Sequence, residues 1–374
     1  MKIKALAFLP FFLGGFTFLN KIYSTDAVKT TIEMQQDGPY VTYRKKNVVV
    51  KYIVRSEGIN KVLSYSKPIS KKNEVTLSVS TDEPGKKFTV QLKDKLEVEK
   101  NEYSKVEKLF VISDIEGNFG AFRKLLQQGN VIDSNYNWIF GNGHLVLTGD
   151  FFDRGNQVCE ALWLVYSLED KAKAAGGYVH FILGNHEIMN MSGDLRYLNS
   201  KYLQNIILLN EKYTEGMYGT SSELGRWLRT KNIVEKIGSI LFMHGGISPA
   251  INRMDISLHQ LNELARPHYS DFNNIYENNN LDTIFSDLGP FWYRGYYIPK
   301  DGNIAAQIDS TLKKFNVNQI TTGHTIVGDT ISVFQKGKLI NVDVQHASGH
   351  SEALLIDENR YYRINGLGVK KLIL

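Results

Sequence analysis

The chain has 374 residues, 43% hydrophobic and 22% charged, enough to bury a sizeable core in one large domain with a smaller one beside it. The formal charge is +5, and three of those charges, Lys2, Lys4 and Lys21, lie before residue 25 with no acid among them. The remaining +2 is too nearly balanced to signal nucleic acid as a partner, and a single cysteine, Cys159, excludes an internal disulfide.

In chain order, the first element is the start itself, "MKIKALAFLPFFLGGFTFLNKIYS". Two lysines precede an apolar stretch from Ala5 to Leu19, the layout of a secretory signal. The stretch is short of the roughly 20 apolar residues that a spanning helix needs. It carries no cysteine for a lipid anchor, and Ile22-Tyr23-Ser24 is the best cleavage candidate. The expectation is a leader over 1–24, with an uncleaved N-terminal anchor as the alternative. Either places the body of the protein in the periplasm or outside the cell.

Residues 25–105 read as alternating, β-branched runs ("YVTYRKKNVVVKYIV", "KNEVTLSVST", "KKFTVQLKDKLEVEK") separated by polar turns. They predict a small all-β module, in the manner of a sandwich, with no histidine and nothing catalytic. From about residue 106 the texture changes. The runs "LFVISD", "HLVLTGD", "YVHFILGNH", "SILFMHGG", "QITTGHT", "LINVDV" and "ALLID" predict strands. Helices are predicted over 119–128, 156–175 and about 195–211. "WIFGNGHLVL" predicts a hairpin turning through Gly141-Asn142-Gly143. Cys159, in the strongly helical second stretch, reads as a core thiol. Alternation of strand and helix over 106–374 predicts a layered α/β domain.

Five of the apolar runs end in a short loop carrying Asp, Asn or His: "SDIEGN", "TGDFFDRG", "LGNHE", "MHGG" and "TGHT". Sites in open α/β sheets form beyond the carboxyl ends of strands, so these tips are expected to meet. Their candidate ligands are Asp114, Glu116, Asp150, Asn185, His244 and His324. Carboxylate, amide oxygen and imidazole suit divalent Mn, Fe, Zn or Mg. The absence of thiolate argues against a structural zinc site. Six donors exceed what one ion takes while keeping an open position, so two ions with a bridging carboxylate fit better, Asp150 being the natural bridge. Glycines beside the ligands (Gly149, Gly184, Gly245, Gly246, Gly323) let backbone turn sharply and approach closely. Any one tip alone reads as a polar turn; five together do not.

Together "GDFFDRG" (149–155), "GNHE" (184–187), "HGG" (244–246), "RG" (294–295) and "GH" (323–324) resemble the phosphoprotein phosphatase branch of the calcineurin-like metallophosphoesterases, over about 108–360. "NMSGDLRY" and "GRWLRTKN" look closest to the bacterial, Shewanella-like protein phosphatases. The resemblance implies an αββα sandwich and a role for each position. Asp114, residue 116 and Asp150 would hold one metal, and Asp150, Asn185, His244 and His324 the other. His186 would be the general acid, oriented by Asp153, and Arg154 and Arg294 would grip phosphate. A water shared by the two ions would attack phosphorus in line, with no phosphoenzyme.

One position departs from the family pattern: Asp-x-His is expected and Asp114-Ile115-Glu116 is found. Three readings follow. Glu116 still binds, through a harder oxygen that shifts preference toward Mn, Mg or Fe; it does not bind and the first site is weak; or the protein is degenerate. The first is adopted, because Asp153, His186 and both arginines are retained. His180 reads as a satisfied core histidine, and His144, His259 and His268 are given no role. His346 and His350, in "DVQHASGH", are candidates to supply the imidazole that position 116 lacks, against a solvated loop. The aromatic run "FWYRGYY" either walls the phosphate pocket or is local core. The expected activity is an exported metal-dependent phosphatase acting on phosphate monoesters of proteins, at Ser/Thr or Tyr. The alternatives are hydrolysis of small phosphate esters or nucleotides, and a pseudophosphatase that binds a partner. No membrane span beyond the leader is expected.

Overall fold

The computed structural model describes residues 35–271, 279–299 and 303–374; the leader lies outside the described residues. The described residues open with β1 (Gln35–Arg44), β2 (Asn47–Ser56) and β3 (Ile59–Pro68), an antiparallel three-stranded sheet, followed by a two-stranded ribbon of β4 (Thr76–Ser80) and β5 (Lys87–Gln91). In β4 and β5 every second residue is buried, as the alternating sequence requires of a half-covered sheet.

Twelve strands follow among the described residues: β6 (Glu102–Tyr103), β7 (Lys108–Ile112), β8 (His144–Leu147), β9 (Tyr178–Phe181), β10 (Val234–Ile237), β11 (Ile240–Met243), β12 (Gln319–Thr322), β13 (Ser332–Phe334), β14 (Leu339–Asn341), β15 (Glu352–Asp357), β16 (Arg360–Asn365) and β17 (Lys370–Leu372). They form two six-stranded sheets, ordered β17-β16-β15-β7-β8-β9 and β13-β14-β12-β11-β10-β6. Leu109, Val111 and Val146 of the first sheet and Phe242, Ile340 and Val342 of the second meet in one buried cluster between them. Strands β8, β11, β12 and β14 are buried at every residue, which is why they read as continuous rather than alternating apolar runs.

Helices cover the outer faces. The first four after the sandwich begins are α1 (Phe119–Gln128), α2 (Val158–Ala174), α3 (Asn185–Ser192) and α4 (Ser200–Leu209). This is the αββα layering that the resemblance implies. α2 is buried at 13 of its 17 positions because it is wedged between β9 and the N-terminal ribbon; a helix apolar all round needs cover on all sides. Trp163 on α2 donates its indole N–H to the Pro39 carbonyl (2.9 Å), and Phe88 of the ribbon stacks on Phe119 and packs against Tyr136. The N-terminal strands therefore share the core of the larger domain. Cys159 is buried there, 3.8 Å from the Tyr218 hydroxyl.

Two expectations change. The hairpin at 138–147 does not form. Both edges of β8 are taken by parallel pairing with β7 and β9, while Trp138 bridges back to Ile132 and Phe140 packs edge-on against Phe110. α4 is shorter than predicted because Asn199 caps its start, accepting from the Lys201 N–H, and Asn210 ends it in the left-handed region.

His180 is satisfied, as read. Its Nδ1 lies 2.7 Å from Glu235 and its Nε2 2.8 Å from His144 Nδ1, the first residue of β8. Burial, with the neighbouring His180, lowers His144 to about 4. An unfolded imidazole, near 6.5, takes up a proton that the folded one refuses, so this stability is complete above pH 6.5 and is lost as pH falls toward 4. In urea melts His144→Gln is expected to destabilise the protein at pH 7, with the gap to wild type narrowing as pH drops from 6.5 to 4.5. A pH-independent gap would contradict the assignment.

Candidate active site

Strands β7, β8 and β9 run parallel, as do β11, β12 and β14. Their carboxyl ends supply Asp114, Asp150, Asn185, His244, His324 and Asp343 in turn. The five tips expected to meet do so. His324 N–H points at the Asp114 carboxylate (3.2 and 3.3 Å), and His244 Nδ1 lies 2.8 Å from the Thr148 carbonyl across the two sheets.

The ring contacts fix the tautomers. A carbonyl only accepts, so His244 carries its proton on Nδ1 and presents a bare Nε2. His324 Nε2 likewise faces the Trp292 carbonyl at 3.1 Å, leaving Nδ1 bare. His244 Nε2 then lies 3.0 Å from Asn185 Oδ1, 3.0 Å from Asp150 Oδ2 and 3.1 Å from His324 Nδ1. Asn185 turns its oxygen inward, since its amide nitrogen faces Met189 Sδ. Four acceptors thus converge with no donor among them, a buried arrangement that only a cation or a proton relieves. The charges agree. Burial would lower His244, yet the carboxylates of Asp150 and Asp114 raise it to about 9; burial and the charge of Asp150 raise Asp114 to about 6 even against His244. The donor set fits divalent metal, and the ring N–H bonds to carbonyls are the supporting partners that metal-bound histidines use.

The backbone is bent to bring these groups in. Asp114, Glu116, Asp150, Asp153, Arg154 and His324 all have φ between +48° and +69°. Each such residue costs on the order of 1 kcal/mol or more, and such strain clusters at functional sites. Gly184 allows a close approach: a Cβ there would sit 2.2 Å from Asp150 Oδ1. Glu187, buried beneath, ties the loops together by accepting from the backbone N–H groups of Gly184 (2.7 Å), Asp150 (2.9 Å) and Phe151 (2.7 Å).

His186 stands at the edge of this cluster on α3. Its Nδ1 lies 2.5 Å from Asp153 Oδ2 and its Nε2 3.8 Å from Asp150 Oδ2. Burial would lower His186, but the Asp150 charge and the Asp153 hydrogen bond raise it to about 9, so the imidazole holds a proton at neutral pH. Arg294 donates to the His324 carbonyl (2.5 Å) and borders a cleft of about 800 Å³ walled by Trp292, Tyr293, Phe285 and Ile298. Glu116 is placed differently from the other ligands. Its carboxylate pairs with the Arg154 guanidinium, while still lying within reach of Asp150 and His186. His346 is buried beside the site, but its Nε2 faces the Ser113 carbonyl (3.0 Å) and it joins no ligand group; His350 is exposed.

Sequence reasoning missed Glu187, Asn190 (which holds Asp153) and Asp343. Asp343 follows β14 and is buried near Asp114 and Asp150, whose charges with burial raise its pKa well above the carboxylate range. The signal was present: "LINVDV" carries an acid just beyond its apolar run, as "LFVISD" and "HLVLTGD" do.

Residues 107–328 match the family model of the calcineurin-like phosphoesterases. The chain is similar to the crystal structure of the cold-active protein-tyrosine phosphatase of a psychrophilic Shewanella species, at 34% identity and a TM-score of 0.81, covering 91% of this chain and all of that one. It is 26% identical over 259 residues to Shewanella-like protein phosphatase 1 of Plasmodium berghei, covering 65% of this chain and 70% of that protein. An uncharacterized protein of Schizosaccharomyces pombe is 29% identical over 259 residues, 67% of this chain and 77% of its own length.

Two substitutions test the cluster by metal binding alone. Asp150→Asn is expected to weaken Mn²⁺ affinity by more than the roughly 10–100-fold typical of losing an outer partner, measured by calorimetry. Glu116→His is expected to shift preference from Mn²⁺ toward Zn²⁺. An unchanged metal preference would place Glu116 outside the coordination sphere.

Proposed function

The chain belongs to the calcineurin-like phosphoesterase family and hydrolyses phosphate esters; from that premise we propose that its substrates are phosphoproteins, with phosphotyrosine favoured. The proposed metal ligands are Asp114, Glu116, Asp150, Asn185, His244 and His324, holding two divalent ions of Mn, Fe, Zn or Mg. When bound, the ions supply positive charge for the phosphoryl oxygens and acidify a water for in-line attack.

The residues of the chain do the rest. Asp153 holds the His186 ring through Nδ1, which leaves Nε2 to give its proton to the leaving oxygen as the phosphorus–oxygen bond breaks. Arg294, held by the His324 carbonyl, lines the cleft and would meet an anionic phosphate there. Arg154 is the second candidate for gripping phosphate, once released from Glu116.

The observation that carries the substrate reading is the cleft. Its volume, about 800 Å³, and its aromatic walls suit an aromatic phosphoester with flanking chain better than a single small anion. Similarity to the Shewanella protein-tyrosine phosphatase supports the same choice. The basic start followed by apolar Ala5–Leu19 supports export to the periplasm or beyond.

With Mn²⁺ bound, kcat/KM is expected to be highest for a phosphotyrosyl peptide, exceeding a matched phosphoseryl peptide and a nucleotide by about tenfold or more, the effect of one well-made pocket contact. A nucleotide as the best substrate would overturn the reading, as would absence of turnover with every divalent ion in folded protein.

A further inference from the structure

The Asp153–His186 pair is the end of a longer hydrogen-bonded chain. Asn190, one turn beyond His186 on α3, is fully buried. Its amide nitrogen lies 2.9 Å from Asp153 Oδ1 and 2.8 Å from the His186 carbonyl. Both partners can only accept, so the nitrogen faces them and Oδ1 faces the Tyr213 hydroxyl at 2.5 Å. That oxygen also only accepts, so Tyr213 donates. The order is therefore fixed: Tyr213 O–H to Asn190, Asn190 N–H to Asp153 Oδ1, and His186 Nδ1–H to Asp153 Oδ2. Asp153, with φ +69°, receives a donor on each carboxylate oxygen, which fixes its side chain.

Tyr213 begins a single π-helical turn, Tyr213–Met217, and the N-terminal sheet grips the chain on both sides of it. Before it, Lys51 of β2 donates to the Leu209 carbonyl (2.9 Å) and to Glu211 (2.8 Å), and Arg44 of β1 also pairs with Glu211. After it, Tyr43 N–H donates to the Ser221 carbonyl (2.7 Å), and Thr42 bridges to Ser222. Turns of this kind are rare and recur at functional sites.

We infer that Asn190 and Tyr213 are positioning residues for the proton donor His186, and that the N-terminal sheet is a working part of the active site because it holds the turn that carries Tyr213. The inference rests on the phosphatase reading above. Its consequence is chemical. A leaving oxygen of low basicity departs without help, whereas a basic one needs the proton of His186 as its bond to phosphorus breaks. Loosening the donor should therefore spare p-nitrophenyl phosphate and penalise phenyl phosphate.

The test uses the full chain loaded with Mn²⁺. Tyr213→Phe keeps the ring and removes the donor. Its kcat on phenyl phosphate is expected to fall about tenfold, a part of the 10²–10⁴-fold that general acid catalysis supplies, while kcat on p-nitrophenyl phosphate changes about twofold or less. KM is expected to hold for both esters, and the difference between esters should vanish in a His186→Ala background. Lys51→Met, which frees the turn without touching the relay, should move the ester ratio the same way and supplies the measurement if Tyr213→Phe does not fold. Equal losses on both esters, or a ratio shift that persists without His186, overturn the inference and leave the phosphatase reading standing. A folded wild-type enzyme that turns over neither ester overturns both.

Discussion

The structure is organised around four acceptors that cannot face one another without a cation or a proton between them. His244 Nε2, His324 Nδ1, Asn185 Oδ1 and Asp150 Oδ2 converge in a buried pocket, and carbonyls of Thr148 and Trp292 hold both imidazole protons on the far side. Building that arrangement requires two sheets whose parallel strands end at one edge. It also requires loops tight enough to put six non-glycine residues in the left-handed region, and a glycine where Gly184 passes Asp150. The buried Glu187 carboxylate, bonded to three backbone N–H groups, offsets part of that strain by locking two of the loops together.

The proposed proton donor is held by a different logic. The candidate metal ligands come from strand ends, but His186 is set by a relay through Asp153, Asn190 and Tyr213 that leaves the sandwich and reaches the N-terminal sheet. The N-terminal strands that grip this turn also share a core with α2. Glu116 links the two halves of the centre. It sits where the family pattern has histidine, and its carboxylate pairs with Arg154 while lying within reach of Asp150 and His186.

The sandwich and the ligand set were legible because each strand is a short apolar run and each ligand follows it within a few residues, so pattern and position carry the same message. The tip at Asp343 was readable by that rule and was passed over because its loop lacks a family motif. Asn190 and Tyr213 were not readable. One lies at helical spacing from His186 with no sign that it faces Asp153, and the other begins a π-turn, which has no sequence period. The false hairpin at Gly141-Asn142-Gly143 shows the same limit from the other side. The turn residues were right for a hairpin, but tertiary pairing of β8 with β7 and β9 left the preceding segment no edge to join. The alternating texture of the first module was plain, yet its docking onto α2 is long-range and left no local mark.

The central claim is that these strand ends build a divalent metal centre. Anomalous diffraction from crystals grown with Mn²⁺, at a concentration that supports turnover, tests it most directly. The account predicts two anomalous peaks sharing Asp150, one bounded by Asp114 and Glu116 and the other by Asn185, His244 and His324. Full turnover with no peak among these six residues would contradict it.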